Sequence, residues 1–161
     1  MYRVLVVYSH MKKNTIIFDL DGTLANIDDR RKISTKSNGK LDWDVFFDPD
    51  NIQLDKPNVP VVKMAQLFAQ DGFNIVIFSG RSDKTKHTTR SWLTHNRIPF
   101  HKLVMRDAKR HFMPDNQLKK QFLDDHVNID DIFLVVDDRQ QVVDMWRSLG
   151  LNVFQVAPGN F

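Results

Sequence analysis

Apolar residues fall along this chain in short blocks separated by polar stretches with helical spacing. Asn14-Thr-Ile-Ile-Phe-Asp19 is a continuous apolar run ending on a carboxylate, the pattern of a strand buried on both faces. Residues 73–78, 102–106, 132–136 and 152–157 read as further strands. Between them, the spacing predicts a helix over 57–71, with Val61, Met64, Ala65 and Phe68 on one face, Pro60 in the first turn and Gly72 as the terminal cap. Further helices are predicted over 84–96 (Trp92 and Leu93 inward), 115–126 (Asp115 as N-cap) and 140–149 (Val142, Met145, Trp146 and Leu149 inward, closed by Gly150). Strand and helix alternate throughout, which predicts an α/β fold: a Rossmann-like parallel sheet with helices on both faces.

Two stretches break this pattern. Residues 24–56 are polar and irregular, with a flexible tip at Ser34-Thr-Lys-Ser-Asn-Gly39. Trp43, Phe46 and Phe47 interrupt that polarity, so a small packed element is expected within a flap insert at about 25–56. At the other break, residues 1–10 hold an apolar stretch too short for a signal peptide. Met11-Lys-Lys13 then reads like a start, so residues 1–13 are expected to form an N-terminal extension, poorly ordered or paired at a sheet edge, before a single domain over 14–161.

Composition narrows the class without naming a function. The 161 residues, 42% hydrophobic, suffice for one core, and no apolar run reaches the length of a membrane span. The absence of cysteine excludes disulfides and thiolate metal sites and is compatible with a reducing compartment. A net charge of +3 reads as a solvated surface, permissive of a polyanionic partner.

In a parallel sheet, ligands bind beyond the carboxyl ends of the strands. Every unusual polar cluster here follows a strand: Asp19/Asp21, Ser79/Arg81 and Asp137/Asp138. Two carboxylates two residues apart need a counter-charge. A hard divalent cation, Mg²⁺ above all, is held by one or two carboxylates plus substrate phosphate, and Asp138 would add a third acid. The competing reading of Asp19 and Asp21 is that they cap a turn.

These residues resemble the motifs of the haloacid dehalogenase superfamily over essentially all of 14–161. Asp19-Leu-Asp-Gly-Thr23 resembles the first motif, Ser79 in Phe78-Ser-Gly-Arg81 the second, Lys119 the lysine of the third, and Asp137-Asp138 the paired acids of the fourth. The resemblance implies a Mg²⁺-dependent phosphatase in which Asp19 attacks phosphorus and becomes an aspartyl phosphate. It implies that Asp21 protonates the leaving oxygen, then activates water, and gives its backbone carbonyl to the metal. Ser79, the backbone near Gly22 and Gly80, and Lys119 would hold phosphoryl oxygens, with Thr23, Arg81 and Arg139 beside them. The metal ligands would be Asp19, Asp21 and Asp138, and Asp137 would orient Lys119 or a metal-bound water. Lys120 is adjacent to Lys119, and only one of the pair can face the cleft.

Members of that superfamily differ mainly in their caps. Residues 24–56 and 81–119 leave no room for a separate cap domain, so a minimal cap and an open cleft are expected, suited to a phosphate at the end of a large molecule. Val135-Val-Asp-Asp-Arg-Gln-Gln-Val-Val-Asp-Met-Trp-Arg147, with Phe154-Gln-Val-Ala-Pro-Gly-Asn-Phe161, is similar to the phosphatase domains of phage polynucleotide kinase-phosphatases. That similarity implies removal of 3′-phosphates from DNA or RNA ends in an infected host's cytoplasm, with no membrane association. No Gly-x4-Gly-Lys-Ser/Thr loop of a kinase half occurs in the chain. Arg106 and Arg30-Arg-Lys32 are further candidate contacts, the latter equally readable as a solvated loop, and Trp43 reads as a base-stacking residue or, more simply, as a local hydrophobic anchor. The histidines show no metal-binding spacing. The alternatives are a nucleotidase or other small-molecule phosphatase, and an inactive nucleic-acid-binding module.

Overall fold

The computed structural model describes residues 13–110 and 112–159. The extension expected over residues 1–13 lies almost wholly outside them.

A five-stranded parallel sheet forms the centre. Its strands are β1 (Thr15–Asp19), β4 (Asn74–Ser82), β5 (Lys102–Arg106), β6 (Ile132–Arg139) and β7 (Val153–Gly159), in the order β5-β4-β1-β6-β7. Strand β1 is central and every one of its residues is buried, as its unbroken apolar run requires. The last two strands lie past β1, and the first two lie on its other side. The order therefore reverses at β1, and the cleft opens beside its end.

Side-chain alternation divides the interior in two. Ile16, Phe18, Ile75, Ile77, Leu134 and Val136 face one way and meet Val61, Val62, Ala65, Trp92 and Leu93 from helices α4 (Val59–Gln70) and α5 (Lys86–His95). Ile17, Val76, Phe78 and Val135 face the other way and meet Leu118, Phe122, Val142 and Trp146 from α6 (Asp115–His126) and α7 (Gln140–Ser148). The same alternation decides the chemistry. Asp19 shares the side of Ile17, and Asp137 the side of Val135, so both carboxylates project toward α6 and α7 rather than α4.

The insert is more ordered than its composition suggests. Three short helices, α1 (Asp28–Ser34), α2 (Trp43–Phe46) and α3 (Pro49–Gln53), are closed at the base by an antiparallel pair, β2 (Ala25–Asn26) with β3 (Lys56–Pro57). Asp42 caps α2 by accepting from the amides of Asp44 and Val45, and Asp48 caps α3 by accepting from Asp50. Phe46 supplies the packed element, buried in the core that α4 and α5 share.

Several boundaries differ from the sequence reading. The helix expected from residue 57 begins at Val59, because Pro57 pairs in β3. Strand β4 runs past Ser79 to Ser82, and β6 runs on to Arg139, because backbone pairing with the neighbouring strands continues beyond the apolar residues. Asp115 does not cap α6. Pro114 occupies that position, and the Asp115 carboxylate is drawn instead to two arginines.

Candidate active site

Beyond the end of β1 the chain turns tightly. The Gly22 amide donates to the Ala25 carbonyl at 2.9 Å, with Gly22 at φ +89°. A β-carbon there would stand 2.3 Å from Asp138 Oδ2, so glycine is required both by the dihedral and by the approach of β6. Thr23, fully buried, donates its hydroxyl to Asp138 Oδ1 at 3.2 Å. The Gly22-Thr23 pair thus fits the end of the first strand against the acid at the end of another.

Lys119 projects from α6 into this space. Its ammonium donates to Asp19 Oδ1 at 2.6 Å and to Asp137 Oδ2 at 2.9 Å. Trp146 holds Asp137 from behind, donating Nε1–H to Oδ2 at 3.3 Å. Lys120 turns outward to Asp124. Burial works against the Lys119 charge, but Asp137 and Asp19 outweigh it and hold the ammonium firmly protonated. Asp19, Asp137 and Asp138 bring carboxylate oxygens within 4.8 Å of one another. Burial, opposed by Lys119 and reinforced by the neighbouring acids, pushes the Asp19 carboxyl well above its usual range. Asp138 is pushed up too, by burial and by Asp137. Three buried acids against one ammonium leave uncompensated negative charge, which a divalent cation would neutralise.

A second ionic cluster sits behind Asp21. Arg81, at the end of β4, donates Nε to Asp21 Oδ1 at 3.0 Å and Nη2 to Asp55 Oδ2 at 2.9 Å. Arg30, from α1, donates Nε to Asp55 Oδ1 at 2.9 Å, Nη1 to the Phe46 carbonyl at 3.0 Å, and Nη2 to Asp21. The Arg30 guanidinium also lies 4.3 Å above the Phe46 ring. Burial pushes the Asp21 carboxyl up, but Arg81 and then Arg30 overcome it and hold Asp21 at about 2. For Asp55 burial prevails over Arg30, and its carboxyl is pushed up to about 6.

A third cluster lines the mouth. Asp115 accepts from Arg106 Nη2 and from Arg139 Nη1, both at 2.7 Å. Arg106 also donates Nε to the Gly80 carbonyl at 3.0 Å, and a β-carbon on Gly80 would stand 3.0 Å from Asp115. Together these groups border a cleft of about 1270 Å³, with Asp19, Asp21, Lys119 and Asp138 at its floor and the insert as one wall.

The structure thus brings Asp19, Asp21, Gly22, Thr23, Lys119, Asp137 and Asp138 together. Gly80 and Arg139 border the cleft. Ser79 is buried, its Oγ accepting from the Arg81 amide at 3.2 Å. Arg81, expected beside phosphoryl oxygens, is wholly buried behind Asp21. Arg30, which had an equal reading as a solvated-loop residue, is equally buried, and Asp55 carried no sequence signal at all. Within α1 the buried positions are Arg30 and Ser34, one helical turn apart, and neither is apolar, so hydrophobic spacing does not reveal that face.

The family model for the phosphatase domain of polynucleotide kinase PNKP matches residues 13–161. Among solved structures, the Pnkp1/Rnl/Hen1 complex contains a chain 30% identical to this one with a TM-score of 0.75, covering 92% of this chain and 48% of that one. A chain of the Pnkp1/Rnl/Hen1 RNA repair complex is 32% identical with a TM-score of 0.73, covering 91% and 43%. This chain therefore spans less than half the length of those two. L-2-haloacid dehalogenase from Xanthobacter autotrophicus, 13% identical with a TM-score of 0.64 over 89% of this chain and 77% of that one, shares the fold.

Proposed function

This chain belongs to the family of PNKP phosphatase domains, within the haloacid dehalogenase superfamily, and we propose that it is a Mg²⁺-dependent phosphatase that removes 3′-phosphates from nucleic-acid ends through an aspartyl-phosphate intermediate. The observation that carries this reading is the placement of Asp19, Lys119 and Asp138 on the floor of a cleft that no cap domain encloses among the described residues. A cleft open along one side accepts the terminus of a long molecule.

Asp19 is the nucleophile. Lys119 grips its Oδ1, which fixes the carboxylate's orientation and places an ammonium beside incoming phosphoryl oxygens. Attack forms the Asp19–phosphorus bond and breaks the phosphorus–ester bond, and the leaving oxygen takes a proton. Asp21 supplies it. An incoming phosphate, itself anionic, opposes the two guanidiniums and raises Asp21 toward its protonated form. In the second half Asp21, once more a carboxylate, takes a proton from the water that attacks phosphorus, and the Asp19–phosphorus bond breaks. Asp19, Asp138 and the backbone carbonyl of Asp21 would hold Mg²⁺, and the excess carboxylate charge fits that ion. The metal would supply positive charge against the phosphoryl oxygens. Asp137 orients Lys119.

The test compares Mg²⁺-dependent phosphate release from a 3′-phosphorylated oligonucleotide with release from free 3′- and 5′-mononucleotides. The reading expects the oligonucleotide to be preferred and Asp19→Asn to abolish turnover while leaving the circular dichroism unchanged. Release from mononucleotides alone would overturn the substrate, and an active Asp19→Asn variant would overturn the nucleophile.

A further inference from the structure

The insert's three aromatic side chains do different things. Phe46 is the anchor: it is 5% exposed and lies under the Arg30 guanidinium. Phe47 packs edge-on against Phe46, with ring centroids 5.1 Å apart. Trp43 stacks on Phe47, 5.8 Å between centroids and 17° between planes, yet remains 59% exposed. Trp43 also meets Phe46 edge-on, with centroids 5.7 Å apart, so it is an indole held in place by two rings with most of its surface in water, a rigid apolar platform. Trp43 and Phe47 border the cleft whose floor holds Asp19 and Lys119.

Charge divides that cleft. Lys84, Arg106 and Arg139, the last two sharing Asp115, border the side formed by β4, β5 and β6, whereas the insert side carries Asp44 and Asp48 around Trp43 together with Arg31 of α1. Phosphates are favoured beside the cations of the first side and disfavoured beside the two carboxylates next to Trp43. A nucleobase suits the second side, because its π-face stacks on indole and its amino groups can donate to carboxylates.

We propose that Trp43, backed by Phe47, is the stacking platform for an unpaired nucleobase at the phosphorylated end, so that the substrate is a single-stranded terminus whose base lies on the insert while its phosphate lies on Asp19. This deepens the substrate reading above and rests on it. Stacking of this kind is read by alanine substitution as a loss of roughly 5- to 150-fold in affinity.

Three substrates separate the outcomes: a single-stranded 3′-phosphorylated oligonucleotide, the same strand with an abasic terminal nucleotide, and glycerol 2-phosphate, which has no ring to stack. The wild-type protein should show a KM about tenfold or more higher on the abasic strand. Trp43→Ala should raise KM on the base-bearing strand by a similar factor, add nothing on the abasic strand, and leave glycerol 2-phosphate turnover unchanged. Trp43→Phe should restore most of the loss. Fluorescence gives a second readout, since Trp92 and Trp146 are buried and Trp43 is the exposed indole of the three. Binding of the oligonucleotide to the Asp19→Asn protein should quench emission, and the abasic strand should quench it less. If oligonucleotide turnover ignores both Trp43 and the terminal base, the platform is refuted while the substrate reading stands. Equal losses on all three substrates assign Trp43 to packing and also refute it. If glycerol 2-phosphate is hydrolysed but no oligonucleotide is, both readings fall together.

Discussion

A single residue, Leu20, separates two ionic clusters of opposite design. On one side Asp19 joins Asp137, Asp138 and Lys119, three carboxylates against one ammonium. On the other, Asp21 joins Asp55, Arg30 and Arg81, two carboxylates against two guanidiniums. The first cluster is deficient in positive charge and borders the cleft, which is what a site for a cation and a phosphate requires. The second is balanced and largely sealed, with both arginines fully buried, and acts as a clamp on the carboxylate of Asp21. Charge imbalance thus marks where a ligand belongs, and charge balance marks what positions the residues around it.

The comparison is broken most severely at Lys119. Lys119→Met keeps the side chain's length and removes its charge, leaving Asp19 and Asp137 buried together without their shared donor. Activity should fall by about 10³-fold or more. Stability should fall by roughly 3–5 kcal/mol, the usual consequence of stranding a buried charge. Lys120→Met should change neither, since its partner Asp124 is on the surface. Phosphate release and thermal melting of the two variants check this directly. The reverse ranking would move the proposed catalytic role from Lys119 to Lys120.

The balanced cluster should respond less to loss of charge than to loss of geometry. Arg81→Lys preserves the charge but not the fork that spans Asp21 and Asp55. A misplaced Asp21 should cost about 10²-fold in kcat, with KM for the oligonucleotide nearly unchanged, because Arg81 is too deeply buried to touch it. Arg30→Lys should behave alike and should also loosen α1, whose Arg30 reaches the Phe46 carbonyl. Steady-state kinetics separate the two parameters. A large rise in KM with kcat preserved would return Arg81 to the phosphate-binding role that its place in Ser79-Gly-Arg81 suggests.

How much of this was legible in the sequence follows from the same contrast. The first cluster sits at the ends of apolar runs, so strand periodicity alone brings Asp19 and Asp137 to one end of the sheet. Their side of the sheet follows from alternation with Ile17 and Val135. Lys119 needed the motif resemblance, because helical spacing does not distinguish it from Lys120. The second cluster is assembled by the insert, whose short helices depend on the capping residues Asp42 and Asp48 and on Phe46 rather than on any period. Arg30 reads as one of three consecutive cations, and Asp55 as one acid among many in a polar loop. Their burial is decided by each other, and a chain scanned locally cannot register a pair 25 residues apart. Asp115 misled for a related reason. An acid at a helix start reads as a cap, and only the folded sheet shows that Arg106 and Arg139 claim it.

The mildest break in the balanced cluster is a proton on Asp55. Its carboxyl is pushed up from 3.8 to about 6, so it is charged at neutral pH and neutral in mild acid. A neutral Asp55 holds Arg30 and Arg81 less tightly, and the clamp on Asp21 loosens. Activity should therefore decline several-fold as pH falls through about 6, and Asp55→Asn should be that much slower at pH 7.5 while losing the acid limb near 6. The stability effect has the opposite sign. Because the folded-state value lies above the unfolded one, the folded protein binds the extra proton, so Asp55 contributes stability that is fully present below about 3.8 and is lost as pH rises through about 6. Asp21, held at about 2, works the other way: its contribution is present above 3.8 and is lost only as pH falls toward 2. Between pH 4 and 6 the Asp21 contribution is nearly constant, while the raised carboxyls of Asp19 and Asp138 change alongside Asp55, so the difference between the wild type and Asp55→Asn isolates the Asp55 part. Urea unfolding in that window should show the Asp55→Asn protein with a flatter dependence on pH than the wild type, which should lose stability as pH rises. Parallel curves would mean that Asp55 does not titrate there, and that the acid limb of activity belongs to the unbalanced cluster around Asp19 instead.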